Sequence, residues 1–306
     1  MQKKIHNFHK PVLLREVVEG IFTIYGKDVY LDATFGGGGH SAELLKELGS
    51  EAILLAFDQD QQAIANNTLQ DHRLKIFHRN FRYIENILRI YGIFKVSGIL
   101  ADLGISSHQL ENPKRGFSIR SNQTLDMRMD QRIKKYAKDI LNIYSHESLA
   151  KIFINYGELR NSRKLATNIV YQRMEKTIEN TFELIEIIKN DITGRNKHKF
   201  YAKAFQALRI EVNDELNSLK YFLKSVIKIL RKGSRLAVIS YHSLEDRLVK
   251  LYLKNGRFSK TPIEDFFGKS KFPFLLLSKK PICPGQEEIQ KNPRSRSAKL
   301  RIAKKN

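Results

Sequence analysis

At 306 residues, 42% hydrophobic and 10% aromatic, the chain can bury a sizeable core; this disfavours disorder except at the ends and fits one large α/β domain, or one domain carrying an insertion. A formal net charge of +22, unevenly spread, attracts a polyanion through counterion release and favours a functional basic surface. The single cysteine, Cys283, excludes an intrachain disulfide and a cysteine-built metal site; with no run near the ~18 apolar residues of a membrane span, a soluble, cytoplasmic protein with no membrane partner is expected.

The segment from His9 (HKPVLLREVVEG) predicts a proline-started helix burying Val12, Leu13, Val17 and Val18. A strand over 29–32 runs into four glycines, Gly36 to Gly39, and then into a helix around Leu44 and Leu48. The run from Ala52 (AILLAFD) is uniformly apolar, as in a parallel strand covered on both faces, and ends in Asp58 before a helical stretch over 60–69. A third strand from Arg73 ends at Asn80 and Phe81, a helix covers 83–91, and a fourth strand from Val96 ends at Asp102. This alternation predicts an α/β fold with a doubly wound, Rossmann-like sheet.

After Gly104 the rhythm stops. A polar stretch, 106–130, precedes helical patterns at Leu149, Leu165 and Phe182, with no convincing strand among them. Residues 1–110 are therefore the first part of the sheet domain, 111–212 an inserted helical domain, and 213–306 the second part with a basic tail. That second part reads as a helical run over 212–230, a strand from Ser234, a helix from Ser243, and two last strands beginning at Phe274 and Lys299.

The glycine turn is where a nucleotide-like cofactor is expected. Glycine admits positive φ and close approach of a ligand to the main chain, and a helix N-terminus offers unpaired N–H groups. The match to the dinucleotide fingerprint at Gly37 (GGGHSA) is weak on its own. Asp32 before the glycines, and Asp58, Asn80–Phe81 and Asp102 at later strand ends, disfavour a pyrophosphate and suit a ligand carrying an ammonium and a sulfonium. Asp58 has the spacing of a ribose ligand, Phe81 suits stacking on adenine, and Gly38, Gly39 and the His40 backbone N–H suit a carboxylate. Against this stands the plain reading that each acid merely caps the helix after its strand.

Together the segments at His9, at Asp32 (DATFGGGGHS), at Asp102 (DLGISSHQL), at Arg115 (RGFS), at Leu125 (LDMRMD), at Phe205 (FQALRIEVNDEL), at Ile239 (ISYHSLEDRLVK) and at Asn292 (NPRSRSAKLRIA) resemble the ribosomal RNA small-subunit methyltransferase H family over almost the whole chain. The resemblance implies transfer of a methyl group from S-adenosyl-L-methionine to the exocyclic N4 of cytidine 1402, in the decoding region of bacterial 16S rRNA, within the small ribosomal subunit. It also implies a seven-strand sheet with a helical domain inserted after the fourth strand. The cofactor contacts it implies fall on Gly38, Gly39, His40, Asp58, Phe81, Asp102 and Gln109. Two departures are the segment from Ile119 (IRSNQT), where the family has an aromatic and Gly-Pro, and Tyr241, where Phe is usual.

Asp102 is the candidate catalytic group, because a cytosine amino nitrogen is a poor nucleophile and needs an acceptor for its hydrogens as positive charge develops. His242, Glu245 and Asp246 form a second polar cluster, which helix capping by Ser243 and Asp246 would equally explain. No spacing suits a metal. Arg294, Arg296 and Lys299 in the tail suit RNA phosphates, Arg115, Arg120, Arg128 and Arg132 the substrate side of the insertion, and Phe117 is a candidate base platform, with a core role the plainer alternative. Monomer and homodimer both stay open. A nicotinamide-dependent dehydrogenase would share the glycine turn but not the strand-end acids; a non-catalytic ribosome-assembly factor would not need the cofactor positions.

Overall fold

The apolar runs of the first hundred residues fold as parallel strands; those at 29–32, 53–58 and 96–102 are covered on both faces, and that at 74–78 is only partly buried. They are β1 (Val29–Asp32), β2 (Ile53–Asp58), β3 (Leu74–His78) and β4 (Val96–Asp102), separated by α2 (Gly39–Glu47), α3 (Gln61–Ala65) and α4 (Ile84–Ile90), with α1 (Leu14–Ile21) in front. The computed structural model describes residues 11–22, 28–189, 197–268 and 270–306.

Two helices depart from expectation. Pro11 does not start α1; Val12 and Leu13 form a turn, Leu13 sits at φ 52°, and its N–H donates to Glu288 Oε1 at 2.8 Å. Val12, Leu13, Val17 and Val18 are nonetheless all buried, while His9 and Lys10 lie outside the described residues. The helix expected over 60–69 is only α3, because Asn67 Oδ1 accepts from the Leu69 N–H (2.9 Å) and turns the chain out of the helix.

The chain divides into two units, Met1–Gly104 with Asn217–Asn306, and Ile105–Leu216. The sequence had placed these joins near 111 and 212. The second unit holds α5 (Ser107–Glu111), α6 (Ala137–Ile143), α7 (His146–Asn155), α8 (Ser162–Glu175), α9 (Thr181–Lys189) and α10 (Lys197–Asn213) around a core that includes Leu141, Phe153, Leu165 and Leu208. Its aperiodic stretch is ordered by side chains bonding to backbone. The Arg115 guanidinium, 0% exposed, donates to the carbonyls of Arg128 (2.8 Å) and Met129 (3.1 Å), and Asn213 holds the Met127 carbonyl and the Met129 N–H, both at 2.7 Å.

Asp214, at φ 51°, separates α10 from α11 (Glu215–Ile229), which returns the chain to the first unit. There follow β5 (Leu230–Ser240), α12 (Ser243–Asn255), a hairpin of β6 (Ile263–Glu264) and β7 (Ser270–Lys271), β8 (Phe274–Leu276), α13 (Gln286–Lys291) and β9 (Lys299–Lys305). The seven-stranded sheet has the order β3-β2-β1-β4-β5-β9-β8, parallel except for β9, which runs antiparallel to both β5 and β8. One face packs Leu31, Phe57 and Ile99 under α4, α11 and α12; the other packs Tyr30, Leu54, Leu100 and Ile239 under α1 and α2.

Candidate active site

Register decides how the strand-end acids lie. Asp32 pairs with Ala56 of β2 and with Leu100 of β4. Asp58 and Asp102 each stand two residues beyond those partners, so all three carboxylates point to the same face, with Asp32 deepest. Asp32 is 0% exposed and accepts from the Ser41 hydroxyl (2.7 Å) and the Thr34 N–H (3.0 Å). Burial pushes its carboxyl above the usual carboxylate range, while those two bonds oppose the shift. The acid that first suggested a cationic ligand is thus an internal brace between β1 and α2.

Asp58 is not a helix cap; Asp60 caps α3. Asp58 instead accepts from the N–H of Gly36 and of Asp60, both at 2.8 Å, and burial pushes its carboxyl up to about 6. Each carboxylate oxygen keeps a further lone pair for a ligand hydroxyl. The first glycine is thereby fastened to the end of the neighbouring strand.

The turn itself needs glycine at Gly36 (φ 54°) and Gly38 (φ 76°). The Gly38 N–H is taken by the Phe35 carbonyl at 2.8 Å, so Gly38 offers its conformation and missing side chain rather than a donor. Helix α2 begins at Gly39, and its first intrahelical bond runs from the Ala42 N–H to the Gly38 carbonyl. The Gly39 and His40 N–H groups precede that bond and have no intrahelical acceptor, the arrangement that receives an anion. A Cβ at Gly37 would meet nothing within 4 Å, so open space adjoins the loop.

Asp102 is held on two sides. Its N–H donates to Thr34 Oγ1 at 2.6 Å, and its Oδ1 accepts the Tyr241 hydroxyl at 2.8 Å. Its Oδ2 lies 3.8 Å from His40 Nδ1. The other ring nitrogen, Nε2, sits 3.0 Å from the Val12 carbonyl, which can only accept, so Nε2 carries the hydrogen and Nδ1 presents a lone pair. Burial lowers the His40 pKa and keeps the ring neutral. The lone pair of His40 Nδ1 and Asp102 Oδ2 thus lie side by side at the end of β4. Sequence reasoning missed Thr34, Ser41 and the His40 ring; Tyr241 was visible only as a departure from the family pattern.

Phe81 opens a 3₁₀ turn capped by Asn80 and meets the Phe222 ring edge-on at 5.3 Å. Gln109 belongs to the second unit, where its side chain completes a capping box with Ser106 at the start of α5. The cap of α12 is His242 with Glu245, not Ser243 with Asp246. Asp246 instead binds Arg301 Nε (2.7 Å) and Lys299 Nζ (3.5 Å), which holds β9.

Several of the cations expected to face RNA have work inside the fold. Arg115 is buried, Arg128 pairs with Asp126 and lies 3.9 Å above the Tyr136 ring, and Lys299 joins Asp246. Phe117 is buried in the core of the second unit. Arg120 and Arg296 are exposed.

A profile of the MraW methylase family matches residues 6–306. The chain belongs to that family. Its similar relatives include proteins called ribosomal RNA small subunit methyltransferase H from Parabacteroides distasonis (52% identical, all of both chains), Flavobacterium johnsoniae (48%, 97% of this chain and 98% of the relative) and Karelsulcia muelleri (47%, 97% and 98%). Membership makes the protein a methyltransferase, and S-adenosylmethionine is its methyl donor. The glycine turn fits that group, with two amides at the start of α2 for a carboxylate and a neighbouring carboxylate, Asp58, for hydroxyls.

Proposed function

We propose that this chain methylates the exocyclic N4 of a cytidine in 16S rRNA of the small ribosomal subunit. The full-length relatives bear the name of a small-subunit RNA methyltransferase, and the +22 charge suits a polyanionic substrate. The observation that carries the chemistry is the Asp102 carboxylate, bonded by the Tyr241 hydroxyl, while the Asp102 backbone N–H donates to Thr34 Oγ1, at the end of β4 on the same face as Asp58 and the start of α2.

Gly38, Gly39, His40, Asp58 and Phe81 hold the cofactor in this reading, with Phe81 against the adenine. The bound donor supplies an electrophilic methyl on a sulfonium. Asp102 accepts a hydrogen bond from the target amino group, which turns the nitrogen lone pair toward that methyl and stabilises the positive charge it gains. On transfer of the methyl the donor would keep the carbon–sulfur electron pair as a neutral thioether, and the Asp102 carboxylate would take the proton that the nitrogen loses. Removing Asp102 takes away orientation and charge stabilisation together.

Labelled-methyl transfer to small subunits and to naked 16S rRNA, followed by digestion to nucleosides, tests this reading. Label in N4-methylcytidine supports it, with subunits the better substrate. Label on another base or on a ring atom would overturn it.

A further inference from the structure

The outer surface of α4 and α11 carries an aromatic and cationic ridge that neither the sheet nor the cofactor site uses. Phe81, edge-on to Phe222, fastens the start of α4 to α11. The next residue, Arg82, lays its guanidinium 4.8 Å from the centre of the Tyr221 ring and 5.6 Å from that of Tyr83. Further along, Glu85 takes Lys228 Nζ at 3.0 Å, and Lys95 Nζ donates to the Lys228 carbonyl at 2.6 Å. The two elements are tied along their length and present one continuous face.

The charge of this face is one-sided. Residues 79–95 contain four cations, Arg79, Arg82, Arg89 and Lys95, against Glu85 alone; residues 217–229 contain three lysines and no acid. Glu85 is already paired with both Arg89 (2.8 Å) and Lys228, which holds its carboxyl below the usual range although burial opposes them. Tyr221, Lys224 and Lys228 recur at helical spacing and are all exposed, so they share a stripe. Tyr83 and Tyr221 stand 48% and 53% exposed.

Lysines alone would solvate a helix face. Two open tyrosine rings with a guanidinium between them do not serve solvation, and they match the surface that unstacked nucleobases choose. An acidic protein or an anionic membrane would use the charge and leave the rings without a task. The ridge begins one residue after Phe81, at the carboxyl end of β3 where the cofactor site lies.

We propose that the ridge binds a single-stranded segment of the RNA substrate, bases stacking on Tyr83 and Tyr221 and phosphates facing Arg79 and Lys224. This rests on the reading of the substrate as RNA. The test is fluorescence anisotropy of a short, unstructured, labelled pyrimidine RNA with the full chain over a range of salt. Replacing both tyrosines (Tyr83→Ala with Tyr221→Ala) is expected to weaken binding about tenfold or more, and the Phe pair to retain it. Lys224→Gln is expected to lower the slope of log K against log salt by about 1. Unchanged binding of S-adenosylhomocysteine shows that the variants are folded. Wild-type RNA affinity in the double Ala variant would overturn the proposal, as would a loss seen only on removing charges, which would mark a generic polyanion surface. If the ridge variants lose RNA affinity but wild type labels no 16S rRNA, the ridge stands and the proposed reaction falls. If wild type labels 16S rRNA and the double Ala variant keeps the same KM for it, the reaction stands and the ridge falls.

Discussion

The Tyr241 hydroxyl donates to Asp102 Oδ1 at 2.8 Å, joining the residue after β5 to the last residue of β4. Burial, and then the charge of Asp102, raise the phenol pKa, so the ring stays a donor at all working pH values. Tyr241→Phe keeps the ring beside Gly104 and deletes only this bond. A net loss of about 1 kcal/mol, roughly fivefold in kcat/KM, is expected. Asp102→Ala is expected to cost at least about 100-fold in turnover if, as proposed, this carboxylate is the acceptor for the target amino group. Steady-state kinetics of both variants with saturating cofactor check this; an Asp102→Ala enzyme at full turnover would confine that residue to cofactor binding.

With Asp58 in the proposed cofactor site, affinity is expected to depend on pH. The folded Asp58 pKa of about 6 lies above the ordinary carboxylate value of 3.8, so the stability held by the neutral form is present below about 3.8 and lost as pH rises through 6. Ligand hydroxyls donate to the ionised form and so favour the opposite state. The stabilisation of the protein by S-adenosylhomocysteine should therefore grow between pH 5 and pH 7, with affinity weakening about tenfold per unit below 6. Thermal melts with and without ligand measure it. Asp58→Asn should flatten the dependence.

Neighbouring glycines separate folding from binding. A Cβ at Gly39 would stand 2.2 Å from Pro11 Cγ, so Gly39→Ala should destabilise the protein by about 1–3 kcal/mol. A Cβ at Gly37 meets nothing, so Gly37→Ala should fold normally and lose cofactor affinity because its methyl fills the space beside the loop. Denaturant unfolding alongside ligand titration distinguishes the two outcomes. Normal affinity in Gly37→Ala would mean that the ligand does not enter that space.

Asp246→Ala leaves Arg301, 6% exposed at its side chain, without its carboxylate partner. A loss of about 1.5–3 kcal/mol is expected by urea unfolding. Arg296→Ala, at an exposed position, should leave stability within about 0.5 kcal/mol.

The sheet was legible because its central strands are buried on both faces and so read as unbroken apolar runs, as at 52–58 and 96–102. Features set by distant partners were not. Leu13 takes its left-handed backbone beside a bond to Glu288, which no local pattern announces. Arg115 and Arg128 read as ligands for phosphate because a guanidinium looks the same in sequence whether it meets a phosphate or a backbone carbonyl. At the candidate site, the strand-end acids could be read from spacing, but their depth came from register. Asp32 became a brace and Asp58 and Asp102 the rim.

The pairing of β4 with β5 joins strands whose sequences stand either side of the whole second unit. A chain made from its N-terminus completes β1 to β4 first, leaving one long side of β4 unpaired while residues 105–216 are still being synthesised. Such a side is a template for pairing with another chain. During this interval that side is open to another chain or to a chaperone, so yield in a heterologous host should depend more on translation rate than on the stability of the finished fold.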